Sequence, residues 1–184
     1  VRGIKVVKDT ETDYGRISKV NHWLVALVVI ILLGLGLYFH DLPRGPDRAE
    51  LQALHASIGV LAILYFVFRV FWRNLMGFPE DPPGPEWQAK LARFVHIVLL
   101  VAIIVQAVSG PMAVWTTGRS IHVFNWFSLW SPMPRNMALH ETFEVIHAIT
   151  AQYVILPLLV LHVLAALKRT FIDRDGTLRR MSGI

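Results

Sequence analysis

The run HETFEVIHAITAQYVILPLLVLHVLAAL, residues 140–167, constrains this chain more than any other stretch. Its last two-thirds is almost wholly apolar and carries no formal charge after Glu144, yet it holds two histidines, His147 and His162. Comparable runs lie upstream at about 20–39, 51–70 and 94–115, and this one spans about 145–167. Each is close to the ~20 residues a helix needs to cross a hydrocarbon core of ~30 Å. None shows the polar stripe of helical period that a soluble bundle carries on its outer face. The expected fold is therefore all-α, an integral membrane four-helix bundle forming one domain over residues 1–184.

Composition supports that solvent. A chain of 184 residues with 54% hydrophobic content and a mean hydropathy of +0.50 is too apolar for an ordinary soluble domain. There are no cysteines, which excludes covalently attached c-type haem, thiolate-held iron–sulfur clusters and disulfides. The sequence pI of about 9.9 does not point to nucleic acid, because the basic residues are spread over the segments between apolar runs.

Those residues read instead as a topology signal. The N-terminal segment, the middle connection counted from residue 69, and the C-terminal tail hold five, four and five Lys and Arg, against Arg44, Arg48, Arg119 and Arg135 in the other two loops. The positive-inside rule then places both termini and the middle connection in the cytoplasm. No small-residue cleavage site follows the first run, which is expected to be a retained helix and not a signal peptide. The middle loop GFPEDPPGPEW reads as a solvated connector. The outer loop SIHVFNWFSLWSP reads as an interfacial aromatic belt, with a lid over an outer site as the alternative.

With this topology the histidines fall at two depths. At ~1.5 Å of rise per residue, the fifteen residues from His147 to His162 span ~22 Å, so each lies about one turn inside an opposite face of the bilayer. Ionisable groups at such depth are functional candidates by default. His22 is level with His162 on the cytoplasmic side, and His55 is level with His147 on the outer side. Two pairs at two depths, each with one member on the fourth span, suit two bis-histidine b-type haems, and closed six-coordinate iron favours electron transfer over oxygen binding. His96 is also level with His22 and His162, and spacing alone leaves open which two of these three hold the inner haem. Gly59, one turn after His55, either admits a porphyrin or packs closely against a helix. His40 and His122 sit in interfacial or loop positions. His140 is ~33 Å from His162 and reads as a polar residue before the helix.

The chain resembles the prokaryotic cytochrome b561 family over essentially its whole length. The resemblance is carried by YGRISKVNHWL at the first span, LQALHASIGVLAILYFVFRVFWR at the second, and LHVLAALKRTFIDRDGTLRRM at the C-terminus. It implies a dihaem b-type cytochrome of the bacterial inner membrane, with His22 and His162 on the inner haem and His55 and a span-four histidine on the outer. The family spaces its span-four ligands by fourteen residues, where this chain has Ala148; His147 stands fifteen residues before His162. In a straight helix that extra residue swings one ligand by ~100°. Pro157, which has no N–H to bond the carbonyl of Tyr153, favours a kink or a one-residue π-bulge. A wide turn is therefore expected within 150–157, with His147 retained as ligand.

The function expected is electron transfer between a donor and the quinone pool. One type of family member is a superoxide oxidase, so superoxide is a candidate donor, although the outer loops balance four basic against five acidic residues and give no sign of electrostatic steering. The alternative is a non-catalytic anchor and conduit for a dehydrogenase or hydrogenase complex, in which a redox protein is the partner. An ion or proton transporter is disfavoured, because no Asp or Glu lies inside a span. His96 with Arg16 or Lys168 forms a candidate quinone site. If the charge count sets orientation, a C-terminal alkaline phosphatase fusion is inactive and a C-terminal fluorescent fusion is bright. The opposite pair of results reverses the inner and outer labels.

Overall fold

The computed structural model describes residues 7–80 and 84–182. Arg2 and Lys5 of the charge count, and residues 81–83 of the middle loop, lie outside them. Four long helices, α1 (Arg16–His40), α2 (Pro46–Met76), α3 (Glu86–Trp115) and α4 (Met137–Asp173), are each long and apolar enough to cross a membrane. They run past the apolar cores at both ends. Pro46 and Asp47 open α2 where a missing N–H and a negative charge suit the first turn, and Gly77 closes it with φ +67. The Asn136 side chain accepts from Leu139 N at 3.1 Å to start α4, and Arg174 ends it in the left-handed region. A short helix α5 (Thr177–Ser182) follows.

The helices associate as two pairs, α1 with α2 and α3 with α4, joined chiefly through α2 and α3. Among the described residues α4 makes no comparable close backbone packing with α1 or α2. The bundle is thus open along the inner face of α4. A small apolar cluster of Val25, Ala62, Phe66 and Ile103 fills its middle, whereas most large apolar side chains face outward, as a lipid solvent allows.

The connection between α3 and α4 contains a two-stranded antiparallel hairpin, β1 (Ile121–Val123) and β2 (Phe127–Leu129), in the register Ile121↔Leu129 and Val123↔Phe127. The all-α reading did not include it, because two three-residue strands within an aromatic loop leave little alternation to read. Ile121 and Val123 are buried, and Ser57 of α2 both receives Phe124 N at 2.9 Å and lies 3.2 Å from His122 O. The hairpin is therefore pinned on α2 two residues beyond His55. Trp126 and Trp130 are 71% and 80% exposed, as an aromatic belt requires.

At the end holding both termini, a buried ion pair ties the pre-helix segment to α2. Asp9 Oδ2 meets Arg73 Nη1 at 3.1 Å and accepts from Ser18 Oγ, while Asp9 Oδ1 accepts from Gly15 N at 2.7 Å. Trp72 Nε1 donates to Ser18 Oγ at 2.8 Å, and Arg73 also donates to Gly77 O. Removing one partner of such a pair costs about 3–5 kcal/mol, because the other charge stays buried. Tyr14 lies under Arg73, its phenol pushed up by burial against the opposing pull of Arg73 and Arg180. Arg180 of α5 donates to Glu80 O and Thr12 O, and Trp23 Nε1 to Met181 O, so the C-terminal segment completes this cap.

The expected wide turn in α4 is present. Residues Thr150–Ile155 form a π-helical turn immediately before Pro157, between regular α-helix at Met137–Ile149 and Leu156–Lys168. A second such turn, Arg169–Asp173, ends the helix and was not expected. The first turn absorbs one residue, returning His147 and His162 from ~60° apart in azimuth to the ~40° of opposite sense that a fourteen-residue spacing gives. Deleting Ala151 should convert the turn to regular α-helix while leaving both histidines in register. The measurement is haem content per chain, expected unchanged; loss of one haem would show that the wide turn is required and not merely accommodated.

Candidate functional site

Two histidine pairs face each other across the open side of α4. The His22 ring of α1 and the His162 ring of α4 have centroids 6.0 Å apart, and His55 of α2 and His147 of α4 are 6.1 Å apart. With metal–imidazole bonds of about 2 Å, two imidazoles on opposite faces of one iron have ring centres about 6 Å apart. All four rings are half-buried within the bundle.

The surroundings of each ring explain its orientation. Ser109 Oγ of α3 lies 3.0 Å from His147 Nδ1, so the tautomer with a proton on Nδ1 donates to the hydroxyl and leaves the Nε2 lone pair free. Gln106 Nε2 donates to His147 O at 2.9 Å, holding the backbone just before the π-turn. A Cβ at Gly110 would stand 3.0 Å from His147 Cε1, and one at Gly36 would stand 3.4 Å from His55 Cε1. These two glycines admit the imidazoles against α3 and α1. At Gly59 a Cβ would meet nothing within 4 Å, which leaves open space beside His55 and removes close helix packing as that glycine's reason.

A different environment surrounds the other pair. His96 of α3 stands with its centroid 5.1 Å from His162 and stacks on Phe78 at 6.1 Å and 8°. Arg69 of α2 brings Nη2 to 3.3 Å from His22 Nδ1, and its Nη1 is buried without a partner among the described residues. No group of three or more His, Asp or Glu is arranged for a bare metal ion among the described residues.

Residues 13–183 match the family model described as prokaryotic cytochrome b561. This chain belongs to the prokaryotic cytochrome b561 family. It is 33% identical over 181 residues to "Cytochrome b561 homolog 2" of Escherichia coli, covering 95% of this chain and 94% of that one. "Cytochrome b561 homolog 1" of the same organism is 26% identical over 172 residues, 91% and 97% of the two chains. "Probable superoxide oxidase CybB" of Yersinia pestis is 25% identical over 169 residues, 87% and 90% of the two chains. A cytochrome b561 is a haem-containing prokaryotic membrane protein, and a b-type haem fits the residues present. The imidazole pairs have the right separation, Gly110 and Gly36 admit the rings against neighbouring helices, and α4 lacks close backbone packing with α1 and α2 among the described residues.

The cytochrome b561 fold thus brings His22 to His162 and His55 to His147, and it adds His96 to the first of these. It does not bring Arg16 and Lys168 visibly into that group: Arg16 is exposed at the first turn of α1, and Lys168 pairs with Asp173 at 2.6 Å. His140 is expected before the helix, but α4 begins at Met137 and holds it in its first turn, where its Nδ1 bonds Ala113 O at 2.8 Å and its ring faces Glu144. Sequence reasoning missed Arg69, which the charge count takes as one more cytoplasmic cation. Its signal was available, since it is a formal charge inside the 51–70 run. Gly110→Val should drive the His147 ring from its place and lower haem content per chain, measured by the haem spectrum of the purified variant.

Proposed function

We propose that this cytochrome b561 is a two-haem electron carrier of the bacterial inner membrane, with both termini cytoplasmic, that links a donor to the quinone pool. The observation that carries the reading is the two facing imidazole pairs, 6.0 and 6.1 Å apart, at opposite ends of the α4 span. His22 and His162 would hold the inner haem, and His55 and His147 the outer. When bound, the two haems supply one-electron relay sites at two depths of the bilayer.

The chain's own residues set the terms of that chemistry. Two histidines at each site would hold a haem from both sides, which would favour electron exchange over binding of oxygen. The 5.1 Å separation of His96 from His162 is shorter than the about 6 Å that two imidazoles on one iron require. That favours His22 as partner of His162 and leaves His96 for another task. Stacked on Phe78 next to this pair, His96 is suited to donate to or accept from a quinone carbonyl, with Arg16 or Lys168 as the cations of the same end. Superoxide as donor draws support from the relative named as a probable superoxide oxidase. Arg48 and Arg119 of the outer loops engage separate segments, at Leu42 O and Thr117 Oγ1, so they lend no evident basic funnel.

Purified in detergent, the protein should carry two low-spin b haems per chain, and His22→Ala or His162→Ala should remove one while His55→Ala or His147→Ala removes the other. A superoxide flux should reduce added ubiquinone in its presence. One haem per chain, or His96→Ala losing a haem that His22→Ala keeps, would sink the ligand assignment. A protein reduced by a co-purifying dehydrogenase and indifferent to superoxide would return the conduit alternative.

A further inference from the structure

Two arginines lie one turn apart on α2, and they differ in one respect. Arg73 is fully engaged, with Asp9 Oδ2 at 3.1 Å, Ser18 Oγ at 3.3 Å and Gly77 O as acceptors. Arg69 has one side-chain hydrogen-bond contact among the described residues: Nη2 lies 3.3 Å from His22 Nδ1, and Nη1 is buried without a hydrogen-bond partner. It stands seven residues before the end of α2, or about 10 Å along the helix, inside an apolar run. A guanidinium placed so deep requires an anion or several acceptors, since an unpaired buried charge is strongly destabilising.

The one contact it has is chemically inadequate. Guanidinium is only a donor, so the contact requires a bare lone pair on His22 Nδ1. If His22 binds iron through Nε2, the neutral ring keeps its proton on Nδ1 and can accept nothing from Arg69. Ligation by His22 therefore takes away the arginine's only acceptor. The carboxylate of Asp9 attracts Arg69 only through space, its hydrogen bonds going to Gly15, Ser18 and Arg73. The missing acceptor must arrive with the group that His22 binds.

We propose that Arg69 is the carboxylate-binding residue of the inner site, its guanidinium receiving a porphyrin propionate in a charge-assisted, two-pronged hydrogen bond. This rests on the reading of His22 and His162 as the inner haem pair, and it assigns the propionate to α2 in place of Arg16 or Lys168. Arg69 then fixes the porphyrin's rotation about the iron axis, while Arg73 and Asp9 brace the helix turn that carries it.

The test is reconstitution of the full-length apoprotein with haem b and with haem b dimethyl ester, whose propionates cannot ionise. Uptake at each site is resolved by redox titration. The wild type should bind the ester at the inner site about ten- to a hundred-fold more weakly than the free acid, the range expected for losing a charge-assisted hydrogen bond. R69Q should bind both forms alike and show a lowered inner-haem midpoint potential with the outer one unchanged, and R69K should recover part of the preference. Equal uptake of acid and ester by the wild type overturns the proposal, and so does a full preference persisting in R69Q but vanishing in R16Q or K168Q. If R69Q does not accumulate, R69K decides against R16Q and K168Q: the acid-over-ester preference should weaken in R69K and persist in the other two, and the reverse overturns the proposal. A wild type that takes up only one haem of either form overturns the two-haem reading itself, a result separate from a failure to discriminate between acid and ester.

Discussion

Everything in this cytochrome b561 is arranged around one helix presenting two imidazoles inside a lipid-facing bundle. Histidine in hydrocarbon is costly unless its polar nitrogens are occupied, and α4 carries two of them fifteen residues apart. The bundle answers from the other side, with α1 supplying a ring to one and α2 to the other at about the same separation, 6.0 and 6.1 Å. Close packing of α4 against α1 and α2 would destroy that geometry. The helices pair instead as α1 with α2 and α3 with α4, and the histidines face across what remains.

Small residues and hydroxyls do the fine positioning. Gly110 and Gly36 let helix backbones approach the His147 and His55 rings, and Ser109 holds the His147 ring through Nδ1. The two ends of the bundle are then sealed by different means. At one, Ser57 pins the aromatic hairpin onto α2 near His55; at the other, the Asp9–Arg73 pair and Arg180 draw both terminal segments over the helix ends. Polar groups are concentrated where the lipid gives way to water, and the charged residue that departs from this pattern, Arg69, lies against a histidine.

The π-turn at Thr150–Ile155 reconciles an extra residue with a fixed site. A helix cannot absorb an insertion without rotating everything beyond it by ~100°. Where both flanks carry residues that must face the same interior, widening one turn is cheaper than re-facing half a span. Pro157 makes the location favourable, because the hydrogen bond to Tyr153 O that regular helix would form there is already forfeited.

The sequence alone determined the four spans, the pairing of histidines by depth, the family and the wide turn before Pro157. Each is a matter of period, length or composition along one helix, and a membrane leaves few other ways to satisfy the backbone. Helix limits were read short, because apolarity marks the hydrocarbon core and not the caps beyond it. What only the tertiary structure decided concerns contacts between helices. That His96 stands nearer to His162 than His22 does, that Gly59 faces open space while Gly110 touches a ring, and that Arg69 reaches His22 all depend on azimuth and inter-helix distance. Depth is written in the order of residues along a helix, but which faces meet is settled only when four helices pack together.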